Sequence, residues 1–175
     1  MGKNLVVAAK ARGHRVTWVE CPKDAETALE LEKRLKKELP LHNALIMAAA
    51  VCDVRPKAFS AAKLKKTGFA RIDFVRNPDI LAGLARRKRK NQIFIGFALE
   101  SKDLLKTAAE KLAKKRLDAI LVQKVSSKET PFGDKNINAF FLRGDEAGVA
   151  LKNQSKRKIA GLIIREAERL AVLKN

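Results

Sequence analysis

A three-layer α/β sandwich on a mostly parallel sheet, with a C-terminal hairpin and helix added to it, is what this sequence predicts. Two observations carry that expectation. NALIMAAAV (43–51), QIFIGFAL (92–99) and DAILVQKV (118–125) are nearly continuous apolar runs, the pattern of strands buried on both faces of a parallel sheet. Stretches with apolar residues at helical spacing separate them, and alternating strand and helix places helices on both faces of such a sheet. A length of 175 residues suits one domain around one sizeable core.

Taken in order, NLVVAAKARG (4–13) reads as an Ala-rich helix closed by Gly13, and RVTWVE (15–20) as a strand after a short turn. DAETALELEKRLKKELP (24–40) carries one apolar stripe and ends at Pro40, a helix leading into strand 43–51. ARIDFVR (70–76) alternates as a strand. Asn77-Pro78-Asp79 is a helix start, with a capping side chain, proline in the first turn and an acid at the positive end of the dipole, and ILAGLARRKRK (80–90) is the helix. Strand 92–99, a helix from Ser101 to Leu117 and strand 118–125 follow. Residues 125–137 form a loop long enough to carry function. NAFFLRGDEAGVALKN (138–153) reads as a hairpin turning near Gly144 to Gly148, and a last helix covers 155–173.

Composition narrows the class. With 46% hydrophobic and 33% charged residues and no apolar run of the ~20 residues that a membrane span needs, the chain reads as globular. The start has no secretory signal pattern, so the cytoplasm is the expected compartment. Cys21 and Cys52 are too few for a disulfide framework and make no zinc spacing with His14 or His42. The net charge of +19 would attract polyanions. Its lysines and arginines are nevertheless spread through helical segments as solvated faces. One Trp and no Tyr leave few stacking platforms, so nucleic acid is not the expected partner.

The stretch MAAAVCDVRPKAFSAAKLKK (47–66) carries chemistry. In such folds ligands sit beyond the carboxyl ends of the strands. Strand 43–51 delivers Asp53 there, with Lys63, Lys65 and Lys66 on the loop above it. A carboxylate beside ammonium groups suits a nucleoside triphosphate: it accepts a ribose hydroxyl or ligates magnesium, while the cations meet the phosphates. An ordinary solvated turn has the same composition.

The motifs AAAVCDVRP, KLKK, VRNPDIL and GFALES, then a Lys-rich helix and Ser155-Lys156 before a terminal helix, resemble in that order phosphopantothenoylcysteine synthetase, the C-terminal domain of the bacterial bifunctional coenzyme A biosynthesis flavoprotein. The likeness covers nearly the whole chain and implies a Rossmann-like fold. It implies a ligase that activates 4'-phosphopantothenate with CTP as an acyl-cytidylate, releases pyrophosphate, and lets cysteine displace CMP to form an amide. Magnesium would accompany the nucleotide, CTP being favoured over ATP by the KLKK motif. The partners implied are a second copy in a homodimer, with hairpin 138–151 as a candidate dimer element, and a fused or separate phosphopantothenoylcysteine decarboxylase.

Carried over by position, the resemblance makes Lys63 and Asp53 the catalytic pair. It puts Met47, Ala48, Ala49, Asp53, Lys63, Pro78, Asp79, Ile80, Leu81, Phe97, Lys111 and Lys115 around the nucleotide and leaves any metal ligand open. A fixed ammonium at Lys63 would stabilise charge developing on the leaving oxygens. The amino end of the helix after Asn77 would offer free N–H groups, and Lys111 and Lys115, at i and i+4, would point at the phosphates.

Three residues depart from the family pattern. Cys52 stands in for alanine and reads as a small buried residue, Val54 replaces an aromatic and its stacking surface, and Leu99 replaces a second alanine and narrows the pocket. The family's domain opens with a strand and a Gly/Ser-rich loop carrying an asparagine that holds the acyl-cytidylate; Met1 and Gly2 align with the end of that loop. Residues 1–175 are therefore read as this domain without its amino-terminal strand and loop, either a fragment or a paralogue. Strands 15–20 and 43–51 should flank the missing strand, and should either close up on each other or leave a gap. Nucleotide binding is thus implied more firmly than complete synthesis. The alternative is a basic nucleotide- or nucleic-acid-binding module without catalysis.

Overall fold

A computed structural model describes residues 1–63, 71–126, 130, 132–144 and 148–174. Its elements are α1 (Gly2–Ala11), α2 (Ala28–Glu38), β1 (Ala44–Met47), β2 (Val54–Pro56), β3 (Phe74–Arg76), α3 (Ile80–Ala85), β4 (Ile93–Glu100), α4 (Leu104–Lys114), β5 (Ala119–Lys124), β6 (Ile137–Arg143), β7 (Val149–Gln154) and α5 (Lys156–Leu173). The main sheet has the order β1-β4-β5-β6-β7. β1, β4 and β5 run parallel, and β6 and β7 close the far edge as an antiparallel hairpin.

Alternation along β4 divides the core. Ile93 and Ile95 face α1 and α5 with Leu5, Ala9, Ile159 and Ile163, whereas Phe94 and Ala98 face α2, α3 and α4 with Leu31, Leu84 and Ala108. Three layers result, as the sequence pattern implies. Gly96 belongs to the second face, where an added Cβ would stand 2.8 Å from Leu117 Cδ1 and 3.1 Å from Leu81 Cδ2.

Local signals explain most boundaries. α1 is closed by Gly13 at φ +81°, a conformation cheap for glycine. Thr27 and Glu30 form a capping box that starts α2, and Pro40 sits in the short 3₁₀ turn ending it. Ser155 caps α5 through the Lys158 N–H.

Five expectations need correction. Residues 15–20 form no strand: an extended segment becomes one only when a neighbour takes its N–H and C=O groups, and the backbone of 15–19 has no such partner among the described residues. β1 ends at Met47 rather than residue 51. The 70–76 run contributes only β3, which pairs with the unforeseen β2 in a separate antiparallel ribbon. α3 stops at Ala85, because the ARRKRK run turns back at Arg86 to bring Gln92 under the sheet. Its capping side chain is Asp79, which accepts the Ala82 N–H, and not Asn77.

The amino ends of the strands are sealed by one carboxylate. Asp118 accepts Lys88 Nζ at 2.9 Å, Lys174 Nζ at 2.5 Å and the Phe94 N–H at 2.6 Å. Elsewhere, Glu168 of α5 takes two hydrogen bonds from Arg12, at 2.6 and 2.7 Å, and pairs with His14 at 2.8 Å. Those bonds, Arg12 first and His14 second, pull the Glu168 carboxyl from 4.5 to about 2. A depressed carboxylate stabilises the fold above its unfolded value and loses that effect as pH falls to its folded value. Glu168→Gln should therefore lower Tm at pH 7 by about 1–3 °C, since the pair is exposed. In thermal melts, the difference from the parent should shrink between pH 4.5 and about 2.

Candidate nucleotide site at the carboxyl ends of the strands

The parallel strands β1, β4 and β5 finish at one pole, and most of the expected site residues gather near it. Met47 is the last residue of β1, with Ala48 and Ala49 directly beyond. Asp53 follows in an exposed bend, and its carboxylate takes no hydrogen bond or ion pair from the described residues. Lys63 is also exposed and unpaired among them. The rest of KLKK, including Lys65 and Lys66, lies outside the described residues.

The Asp53 bend is tied to the start of α3 by residues the sequence reading had not placed in the site. The Asn77 N–H donates to the Asp53 carbonyl at 2.8 Å, and Asn77 Nδ2 donates to the Cys52 carbonyl at 2.9 Å. Arg55 Nη1 in turn donates to Asn77 Oδ1 at 3.1 Å and to the Arg76 carbonyl at 2.9 Å. Asn77 thus spends its side chain on joining Asp53 to Pro78–Leu81, which explains why capping passes to Asp79. The only signal for this in the sequence is the asparagine of NPD, which equally fits a cap.

Ile80 and Leu81 are 3% and 7% exposed, so their side chains are core. Pro78 and Asp79 precede them at the surface. Lys111 Nζ lies 2.5 Å from Glu100 Oε1, at the end of β4. Lys115 Nζ lies 3.0 Å from Asp79 Oδ2. Both expected phosphate lysines are therefore held by carboxylates, and the one sequence signal for Glu100 is that it is the acid of GFALES.

Phe97 is not brought to those lysines: it packs against the α1/α5 core, on the opposite face of the sheet from α4. Cys52 is exposed, contrary to the buried role expected for it, because β1 ends five residues earlier than Cys52 and the chain has already left the sheet. Val54 and Leu99 are 46% and 44% exposed, so Leu99 does not fill a closed pocket.

Adjoining this site, and sharing Met47 to Ala49, Cys52, Arg55 and Asn77 with it, lies a cavity of about 1190 Å³. One wall is the extended segment 15–20 and the other is β1; α1 and α5 cover it on one side and α2 on the other. It is a slot beside the outer edge of β1, between two helix layers. The two flanking segments have not closed on each other. A contact between His42 Nε2 and Thr17 Oγ1, at 2.9 Å, spans the gap. Met47, Ala48 and Ala49 reach its rim, whereas Asp53, Lys63, Phe97, Lys111 and Lys115 do not line it.

A three-layer sandwich with a parallel-stranded edge and helices on both faces is an α/β protein of the Rossmann-like class, in which ligands sit beyond the carboxyl ends of the strands. Within the class the chain belongs to the family of the DNA/pantothenate metabolism flavoprotein C-terminal domain, whose model matches residues 1–170. It is 34% identical over 184 residues to the coenzyme A biosynthesis bifunctional protein CoaBC of Vibrio parahaemolyticus, covering 97% of this chain and 46% of that protein. To the CoaBC protein of Escherichia coli it is 32% identical over 181 residues, covering 95% and 44%. The chain thus spans about half the length of the curated relatives it matches. Among solved structures, the C-terminal domain of CoaBC superposes with a TM-score of 0.66 at 25% identity, over 83% of this chain and 63% of that one. The Streptococcus pneumoniae DNA/pantothenate metabolism flavoprotein gives 0.72 at 16% identity, over 96% and 86%. A Cab2 mutant in complex with phosphopantothenate-cysteine gives 0.59 at 19%, over 85% and 51%, a likeness of fold.

Proposed function

We propose that this chain is the unit that joins 4'-phosphopantothenate to cysteine with CTP and magnesium, in the synthesis of coenzyme A. The observation that carries the reading is the match to CoaBC proteins over nearly the whole chain, together with an Asp53 that is exposed beyond β1 and unpaired among the described residues. In the reaction, the carboxylate of 4'-phosphopantothenate attacks the α-phosphorus of CTP. A new P–O bond forms as the bond to the bridging oxygen breaks, and pyrophosphate leaves with the electron pair. The cysteine amine then attacks the acyl carbon, CMP departs, and the amine proton is lost to solvent.

Lys63 stabilises the charge on the leaving oxygens, and the backbone N–H groups opening at Ile80 and Leu81 face the phosphates. No group of three or more His, Cys, Asp or Glu side chains is placed to hold a metal among the described residues. Magnesium is held mainly by phosphates and water with one or two carboxylates, and in this reading Asp53 would supply the carboxylate. The working form is a homodimer in the cytoplasm, in which the exposed edge of β7 offers a pairing strand, and a decarboxylase is its partner, fused or separate. Among the described residues, no helix is long and apolar enough to cross a membrane.

Calorimetry with CTP and magnesium tests the reading directly, alongside an assay for pyrophosphate release. CTP is expected to bind. A generic oligonucleotide should bind weakly, without sequence preference and with steep salt dependence, because the positive charge is dispersed and aromatics are few. An oligonucleotide held at nanomolar strength at physiological salt and not displaced by CTP would replace the ligase with a nucleic-acid-binding module.

A further inference from the structure

The two lysines expected at the phosphates are each tethered by an acid on a different element. Lys111 and Lys115 lie one turn apart on the same face of α4 and its end. Glu100 is an even-numbered residue of β4, on the face of Phe94 and Ala98, so its side chain points to the α4 layer and reaches Lys111 Nζ at 2.5 Å. The strand holds it firmly there: its carbonyl accepts the Val125 N–H at 2.9 Å and it is in register with Lys124. Asp79 uses Oδ1 for the Ala82 N–H and for Lys115 Nζ, both at 3.1 Å. One carboxylate thus caps α3 and anchors a lysine of α4.

These four charges sum to zero, and each lysine is fixed at the tip of its stem instead of sweeping solvent. A polyphosphate arriving at Lys111 and Lys115 meets two carboxylates already in place, and like charge at that distance weakens its binding. The same carboxylates hold the ammonium groups extended toward the strand ends, where a phosphate would need them.

We propose that Glu100 and Asp79 are positioning residues that act through Lys111 and Lys115: they aim the lysines and counterbalance their charge, so that a bound polyphosphate displaces them and departing pyrophosphate is released to their return. The inference rests on the ligase reading above. It makes an unusual demand, that neutralising an acid in the site should strengthen ligand binding while impairing turnover.

The test uses the 175-residue chain with pyrophosphate and CTP as probes in calorimetry, and pyrophosphate release as the turnover assay. Glu100→Gln keeps size and shape, and is expected to tighten pyrophosphate about three- to tenfold and to steepen its salt dependence. In any turnover it should lower kcat more than it changes KM. Asp79→Asn, which keeps an oxygen to cap α3, should tighten binding likewise. In a Lys111→Ala background, Glu100→Gln should tighten pyrophosphate clearly less than it does in the parent, a coupling that a merely structural role for Glu100 would not give.

The outcomes separate two failures. If Lys111→Ala and Lys115→Ala weaken pyrophosphate but Glu100→Gln weakens it too, or acts equally without Lys111, the counter-charge role is wrong and the nucleotide site stands. If both lysine variants bind pyrophosphate as the parent does, the phosphates are not held there, and the inference falls with the placement of the nucleotide.

Discussion

Extending the chain at Met1 by about 20 to 25 residues of family-like sequence, one strand plus its connection, is expected to raise Tm by about 10 °C and to bring pyrophosphate release to full activity. The reason is the slot beside β1. Its walls are the free outer edge of β1 and the unpaired backbone of 15–19, and its roof and floor are apolar faces of α1, α5 and α2. A strand laid there would pair on both sides and alternate its side chains into both cores. Connection geometry agrees. β7 runs parallel to β5, Lys156 follows β7, and Lys156 is close enough to the Met1 ammonium to lower its pKa, after burial. A strand parallel to β1 would therefore end at the pole where Met1 lies, within reach of a short βα connection. Unchanged Tm in the extended chain, with no new amide protection at residues 44–47, would show that the slot does not take a strand.

Lys63→Ala is expected to lower kcat/KM by about 10²–10³-fold, the effect of removing one preorganised donor from developing charge. Lys65→Ala and Lys158→Ala should cost far less, since they alter the general field and not the reacting phosphate. Lys156 is unsuitable as a control, because it is buried and its ammonium donates to the Gly133 carbonyl. The exposed, unpaired state of Lys63 makes a folding defect in this variant an unconvincing cause of lost activity. Equal losses for all three lysines, by calorimetry with CTP, would reduce the site to nonspecific attraction.

Periodicity made the layered core legible. β4 and β5 announce themselves because both faces are buried, and their apolar runs leave no other reading. RVTWVE misleads for a related reason: its alternation is that of a strand, yet pairing depends on a neighbour that local sequence does not encode. The β2–β3 ribbon was half legible, since Val54-Arg55-Pro56 is too short to show a period, while Phe74–Arg76 does. In the site, Asp53 and Lys63 follow from position after a strand. Glu100, Arg55 and Asn77 do not, because what they contribute is contact across the fold: Arg55 and Asn77 are 22 residues apart, and Glu100 and Lys111 are 11. Phe97 shows the limit of carrying a residue over by position, for a strand residue's neighbours are set by its face of the sheet.

Gly96 has a bearing on how sequences of this kind drift over time. Its missing Cβ leaves the space into which Leu81 and Leu117 settle, so the depth at which α3 sits on the sheet, and with it the height of Pro78 and Asp79 above the strand ends, is set by a hydrogen atom. Enlarging residue 96 in one step sets its Cβ against the flexible ends of two leucines, which must shift to admit it. Exchange at this position comes more easily to descendants in which Leu81 or Leu117 has first become smaller. The order in which neutral changes accumulate is therefore constrained at the floor of the site, well away from any residue that would touch a nucleotide.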